Sequence, residues 1–239
     1  MMKTFSVFDL PIHLSDDYLG WLCDRIYNHM GTHVITMNSE MAMMAQKNKA
    51  LKEYIQKADL VVPDGSGVVI YLKQRGQSQK RVAGIELAES LVKTLGQRGE
   101  NYPICFYGAS PGVTDRAATK FRSTIPNINI INNHGFLTEP DLSAWYETIK
   151  QVQPKLILVG LGVPRQEEWI AKHRHLAPHA VWIGVGGSFD IWGGVKQRAP
   201  KFFCDNNLEW LYRLYQEPWR WKRMMVLPQF FLKSLLYRG

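Results

Sequence analysis

The chain has 239 residues, 46% of them hydrophobic, and a formal net charge of +8. That length suits one large α/β domain, with or without an appendage, and the apolar content excludes a disordered chain. No apolar run reaches about 18 residues, which excludes a membrane-spanning helix, and three cysteines without CxxC spacing argue against a disulfide framework. Asp9 and Pro11 interrupt the first apolar stretch, so we expect no signal peptide and a cytoplasmic protein.

The hydrophobic pattern predicts strands and helices that alternate along most of the chain. A hairpin or pair of short strands ends at Leu14, and Ser15-Asp16-Asp17 begins a helix. Strands are predicted at about 33–37, 60–62, 103–107, 128–132, 155–159 and 180–184. Helices are predicted at about 39–47 (capped by Ser39), 49–57, from 65 onward, 83–96, 112–124, 139–151 and 164–174. This alternation predicts βαβ units and a mainly parallel sheet.

The last 39 residues differ in kind from the rest. They contain 10 aromatic residues and 7 Lys or Arg against 3 Asp or Glu. We therefore place a boundary near Ala199-Pro200, between a body of residues 1–199 and an appendage of residues 200–239. Beyond Pro218 basic residues interleave with apolar ones, which favours an interfacial helix on anionic lipid over a nucleic-acid site.

One helical face of the appendage carries large apolar side chains. They are Leu208, Leu211, Tyr212 and Tyr215. We interpret this face as a core contact or a contact between copies of the chain, so it permits a homo-oligomer.

Four predicted strands stop abruptly at small or acidic residues. They read HVITMN at 33–38, LVVPDG at 60–65, LILVGLGVP at 156–164 and VWIGVGG at 181–187. The carboxyl ends of parallel strands share one edge of the sheet, where ligands bind. Backbone N–H groups and helix N-termini at that edge suit phosphates. The pattern indicates a nucleotide-handling α/β enzyme.

Polar residues end two of these strands. Pro63-Asp64-Gly65 is a favoured turn tripeptide, and Asp64 can simply cap the following helix. Alternatively, its carboxylate can act as the base that a sugar transfer with inversion requires. Thr36 and Asn38 can cap their strand end, or they can orient a nucleoside or sugar.

The segment GLGVPRQE at 160–167 is a more specific pattern. Gly160 and Gly162 allow close backbone approach, and Pro164 suits the first turn of a helix. Arg165 would then lie near a phosphate, and Gln166 could bond a sugar hydroxyl or a leaving phosphate. A plain strand–helix turn is the alternative.

The segment GVGGSFD at 184–190 resembles the dinucleotide fingerprint but fails it, because Phe189 stands where GxGxxG needs glycine. NAD is therefore not expected. We interpret Gly186 and Gly187 as part of a nucleotide-contacting loop, and Asp190 as an acceptor for a base or ribose.

No Asp-x-Asp motif is present, so the usual carboxylate clamp for a metal–diphosphate pair is missing. Pro178 separates His175 from His179, so these residues and His173 are not expected to form a metal site. We expect neither a metal nor a cofactor.

Without a metal, a leaving diphosphate needs arginines and helix N-termini to neutralise it. Gly108 and Ser110 form a small-residue turn that could line the phosphates. Arg213, Arg220 and Arg223 could reach the diphosphate if the appendage folds over the active edge.

Taken together, the ordered motifs resemble the WecG/TagA/CpsF glycosyltransferases over nearly the whole chain. The motifs are TMN at 36–38, ADLVVPDG at 58–65, RVAG at 81–84, GLGVPRQE at 160–167, GVGGSFD at 184–190, RAP at 198–200 and LEWLYR at 208–213. Each motif is modest alone, but their order and spacing are specific.

This resemblance implies a Rossmann-like domain with helices on both faces and a helical appendage that meets the membrane and completes the active site. It implies metal-independent, inverting transfer from a UDP-sugar to an undecaprenyl-diphosphate-linked sugar, in cell-envelope polysaccharide synthesis at the inner membrane face. It makes Asp64 the catalytic base, with Thr36, Asn38 and Gln166 as active-site polar residues. Family members differ in donor sugar, which includes N-acetylmannosamine and its uronic acid, and nothing in the sequence selects one.

Two other classes of function stay open at this point. The first is a non-catalytic nucleotide-sensing module that docks on a membrane or a partner. The second, weaker one is a nucleic-acid-binding protein that uses the basic appendage.

Overall fold

The computed structural model describes residues 2–99, 101–206 and 208–237, without the side chain of Arg220. Its strands are β1 Lys3–Val7, β2 Leu10–Leu14, β3 Thr32–Met37, β4 Leu60–Pro63, β5 Ile104–Gly108, β6 Ile130–Asn133, β7 Leu156–Gly160 and β8 Val181–Gly184.

The helices of the body alternate with these strands. They are α1 Tyr18–Tyr27, α2 Ser39–Ala45, α3 Lys49–Gln56, α4 Ser66–Gln74, α5 Gly84–Gly96, α6 Val113–Thr124, α7 Asp141–Val152, α8 Arg165–His173 and α9 Ser188–Trp192. The appendage contains α10 Lys201–Asp205, α11 Glu209–Gln216, α12 Trp221–Met224 and α13 Val226–Leu236. Short 3-10 helices lie at Arg174–Leu176 and Pro218–Arg220.

Strands β3 to β8 form one parallel six-stranded sheet in the order β4-β3-β8-β7-β5-β6. The predicted parallel sheet is thus confirmed, and β1 and β2 form a separate antiparallel hairpin. The connection that follows β3 leads to α2, which packs on one face of the sheet, whereas the connection that follows the neighbouring β8 leads to α9, which packs on the other face. The sheet's topological switch point therefore lies between β3 and β8, where a ligand crevice is expected.

Alternate side chains of each strand enter opposite cores. In β7, Leu156 and Leu158 pack with α5 and α6, whereas Ile157 and Val159 pack with α7 and α8. Because both faces are buried, the strands are continuously apolar instead of alternating with polar residues. The helices on both faces that this pattern requires are present.

The cap of α2 differs from the prediction. Asn38, not Ser39, is the capping residue, and its Oδ1 accepts the N–H of Met41 at 2.9 Å. Asn38 still has the extended backbone of β3, so it is the last residue outside the helix, where an Asx side chain reaches the free N–H groups. Ser39 is already helical.

The appendage is partly docked on the body. Phe230 of α13 is buried with Phe8 and Tyr71, and its ring centroid lies 5.1 Å from that of Phe8. The core interpretation of the α11 face is wrong, because Leu211 is exposed and Tyr215 is 83% exposed. Because α13 shares a hydrophobic core with the N-terminal hairpin, the appendage is not packed separately from the body. The domain boundary between residues 199 and 200 stays a prediction.

Within the residues that the structure describes, no helix combines the length and apolar character that crossing a membrane would take.

Candidate active site

A cavity of about 380 Å³ opens at the carboxyl ends of β3, β4, β7 and β8 and is covered by the appendage. This is the switch point of the sheet, and the volume suits a small-molecule ligand. Nine of the residues predicted from sequence line it. They are Thr36, Asn38, Asp64, Gly162, Gln166, Gly186, Gly187, Arg213 and Arg223.

Other predicted residues lie outside this lining, and the side chain of Arg220 is outside the described part of the structure. Those outside the lining are Gly108, Ser110, Gly160, Arg165 and Asp190. A Cβ on Gly108 would lie 2.5 Å from the carbonyl of Gly160, so the two glycines allow β5 and β7 to end in close contact. Arg165 turns back and donates to the carbonyl of Leu161 at 2.9 Å.

Asp64 stands at the floor of the cavity, directly after β4. Its Oδ2 accepts the backbone N–H of Gly84, the first residue of α5, at 3.1 Å. Helix α4 has no side-chain cap; Gly65, with a φ of 126°, occupies the N-cap position. The predicted cap role is therefore wrong for α4, because this left-handed backbone turns the Asp64 carboxylate toward α5.

An ion-pair chain connects Asp64 to the appendage. The Nε atom of Arg81 lies 3.8 Å from Asp64 Oδ1, and its Nη2 donates to Glu209 Oε2 at 2.7 Å. Arg198 also approaches the Glu209 carboxylate, at 3.7 Å. Helix α11 thus places the acidic side chain of Glu209 and the cationic side chain of Arg213 beside the floor of the cavity.

Burial raises the pKa of Asp64 to about 6, opposed by the Gly84 N–H and by the positive charges of Arg81 and Arg213, and assisted by the negative charge of Glu209. The side chain is still 26% exposed, so a ligand can reach it. A pKa in this range suits a general base that works near neutral pH.

This pKa predicts an acid limb in the pH profile. Because only the carboxylate accepts a proton, kcat/KM should fall as the pH drops through about 6. Glu209→Gln removes a negative charge that raises the pKa, so its limb should move to lower pH; Arg81→Gln should move it to higher pH. The exposed Glu147→Gln is the control, and an unmoved limb in both site variants would exclude Asp64 as the titrating group.

Thr36 and Asn38 both end β3 at the cavity. The Thr36 hydroxyl packs against the start of α5, where a Cβ on Gly84 would lie 2.9 Å from Thr36 Oγ1. Because the oxygen of the Asn38 amide already caps α2, its NH2 group is the more available part of the side chain for a ligand.

Gln166, at the start of α8, belongs to a buried polar network. Its Nε2 donates to Glu167 Oε1 at 2.9 Å, and its Oε1 accepts the N–H of Gly186 at 3.0 Å. The other oxygen of Glu167 lies 3.0 Å from Nε2 of His33 on β3. Gln166 thus lines the cavity and also bonds to Gly186, another residue of the cavity wall.

Further cations of the cavity have acidic partners. Arg223 donates to Glu40 at 2.6 Å, and Lys196 lies 3.0 Å from Glu217 and 3.7 Å from Asp190. An anionic ligand that enters the cavity can take the place of these acidic partners and pair with the two cations.

Sequence reasoning assigned no role to Arg81, Glu209 or Lys196. Arg81 and Glu209 did fall within the motifs at 81–84 and 208–213, which was the available signal. Lys196 lay in no recognised pattern.

Among the residues with described positions, no group of three or more His, Cys, Asp or Glu side chains is arranged to hold a metal ion. A parallel α/β sheet with a carboxylate and several cations at its switch point is typical of an enzyme that acts on an anionic ligand.

The chain belongs to the glycosyl transferase WecG/TagA/CpsF family, whose model it matches over residues 5–239. It is thus a glycosyltransferase, as the sequence predicts.

Three relatives carry the same name, N-acetylglucosaminyldiphosphoundecaprenol N-acetyl-beta-D-mannosaminyltransferase. The protein of Bacillus subtilis is 36% identical over 241 residues, covering 98% of this chain and 92% of the relative. That of Bacillus spizizenii is 36% identical over 220 residues, covering 91% and 81%. That of Staphylococcus aureus strain MW2 is 33% identical over 201 residues, covering 84% and 78%.

Proposed function

We propose that this enzyme transfers an N-acetylmannosamine-type sugar, with inversion, from a UDP-linked donor to an undecaprenyl-diphosphate-linked sugar in cell-envelope polysaccharide synthesis. The names of the relatives support the sugar and the acceptor. The observation that carries the proposal is the Asp64 carboxylate, with its raised pKa, at the floor of a cation-lined cavity.

In this reaction Asp64 takes the proton of the acceptor hydroxyl while that oxygen forms a bond to the anomeric carbon of the donor. The bond from the anomeric carbon to the diphosphate breaks on the opposite face, and UDP leaves with the electron pair. Arg213 and Arg223, which line the cavity, would neutralise the charge that develops on the diphosphate. Asn38 is assigned to the uridine, and Thr36 and Gln166 to orienting the sugar.

We also propose that the appendage rests on the anionic inner face of the cell membrane, which would make the enzyme peripheral there. Exposed apolar side chains of α13 support this assignment, among them Leu232 at 60%, Leu235 at 59% and Leu236 at 79%. Lys222 of α12 is exposed and supplies nearby positive charge, worth about 1 kcal/mol near an anionic surface. The exposed face of α11, with Tyr215, is the surface that we assign to a homo-oligomer.

A transfer assay tests the proposal. The full-length enzyme is given a polyprenyl-diphosphate-linked N-acetylglucosamine acceptor, EDTA, and UDP-N-acetylmannosamine, its uronic acid or UDP-N-acetylglucosamine in turn. We expect a disaccharide product from a mannosamine-type donor and release of one UDP per product. UDP binding without transfer from any donor would instead support the nucleotide-sensing module.

A further inference from the structure

We propose that Glu167, held by His33, is a positioning residue that sets the orientation of the Gln166 amide and thereby the cavity wall formed by residues 184–187. The inference rests on the proposed function only where transfer is the readout. Its structural part can be tested without any sugar donor.

Glu167 is a carboxylate with no access to solvent. Its side chain is 0% exposed and that of His33 is 3% exposed. A carboxyl group is rarely buried so completely without a specific use, because removal from water is costly unless every oxygen is hydrogen-bonded. Here one oxygen faces His33 and the other faces the amide of Gln166.

These contacts allow one orientation of the Gln166 amide. A carboxylate is an acceptor only, so the NH2 group must face Glu167. The backbone N–H of Gly186 is a donor only, so the amide oxygen must face Gly186. A flipped amide would set oxygen against oxygen and N–H against N–H.

The wall is shaped around this network. A Cβ on Gly184 would lie 2.3 Å from Gln166 Nε2 and 2.6 Å from Glu167 Oε1, so the end of β8 packs directly on the two side chains. Gly186, with a φ of 51°, then receives the Gln166 oxygen on its N–H. The orientation of Gln166 therefore decides where residues 184–187 lie.

His33 connects the same network to the strand that carries Thr36 and Asn38. The backbone N–H of His33 donates to Oδ2 of Asp59, the residue just before β4, at 2.7 Å, while the His33 ring faces Glu167. The buried chain thus joins the amino-terminal part of β3 to the start of α8 and the carboxyl end of β8, and the last two of these border the cavity.

A double-mutant cycle tests whether Glu167 acts through Gln166. Glu167→Met removes the acceptor, and we expect kcat/KM for the donor to fall about 10-fold or more, the scale of a lost buried hydrogen bond. Glu167→Gln can still present an oxygen to Gln166 and should restore kcat/KM to within about 3-fold. In the Gln166→Met background, Glu167→Met should add less than about 2-fold, because the side chain through which it acts is gone.

Glu168→Met is the matched control, since Glu168 is the next residue of α8 and pairs with Lys172 on the exposed face. It should leave kcat/KM unchanged. Additive effects in the cycle, or a Glu167→Gln variant as impaired as Glu167→Met, would overturn the proposal.

Hydrogen exchange of the Gly186 N–H gives a second readout that needs neither transfer nor a folded Glu167→Met variant. Protection should be lost in Gln166→Met and kept in Glu167→Gln. Unchanged protection in Gln166→Met would overturn the inference even if transfer is observed. Conversely, the expected exchange pattern in an enzyme without transfer would support the network while contradicting the proposed function.

Discussion

Asp64→Asn should lower the rate of sugar transfer by about 10²-fold or more, the usual contribution of a general base. Asparagine keeps the size of the side chain and an oxygen that can accept the Gly84 N–H, so α5 should keep its start. What it loses is the ability to take a proton. The measurement is kcat in the transfer assay, with UDP affinity measured in parallel.

The affinity for UDP should change little, because Arg213 and Arg223 remain in place. Asp16→Asn, at an exposed aspartate outside the cavity, is the control and should keep full activity. A fully active Asp64→Asn enzyme would remove Asp64 from the mechanism. Equal loss of UDP affinity and of transfer would instead make it a binding residue.

Replacing Leu232, Leu235 and Leu236 of α13 together with glutamine should weaken binding to phosphatidylglycerol vesicles by about 10²-fold or more. Full burial of one leucine side chain is worth about 1.5–3 kcal/mol. Even partial insertion of three leucines into the lipid therefore supplies enough free energy for an effect of about 10²-fold on binding. All three are exposed, whereas Phe230 and Ser234 on the docked face are untouched, so the fold should be kept. Glutamine is a good helix former, which preserves α13 itself.

Vesicle co-sedimentation measures this effect, and Phe136→Gln provides the matched control. Phe136 is also exposed but lies after β6, outside the appendage. The triple variant should retain transfer to a short-chain, water-soluble acceptor analogue while losing most transfer to the full-length lipid acceptor in vesicles. Unchanged vesicle binding would contradict the membrane role of α13.

The sheet was predictable because its signals are local. Each strand of the parallel sheet is a short, mostly apolar run, such as residues 156–160, that ends at or just before a glycine or a polar residue, and neither feature depends on the rest of the chain. The same runs also placed Thr36, Asn38 and Asp64 together, because parallel strands end at one edge. What each side chain bonds there was not predictable.

Hydrogen-bond partners depended on contacts far along the chain. Asp64 could be expected to cap its own helix, yet it bonds Gly84, because the backbone at Gly65 turns the carboxylate toward α5. Likewise, Gln166 was expected to face a ligand, and its amide is bonded to Glu167 and Gly186.

By itself the sequence determined the alternating α/β architecture, the strand ends that carry the polar residues and, through its ordered motifs, the family. Periodicity and turn chemistry are local properties, so they can be read without knowing how the chain folds. Only the tertiary structure decided that Glu209 of the appendage pairs with Arg81 beside Asp64, and that His33 and Glu167 meet in the core. Those pairs join residues more than a hundred positions apart, and no local pattern specifies which of many similar charges the folded chain brings together.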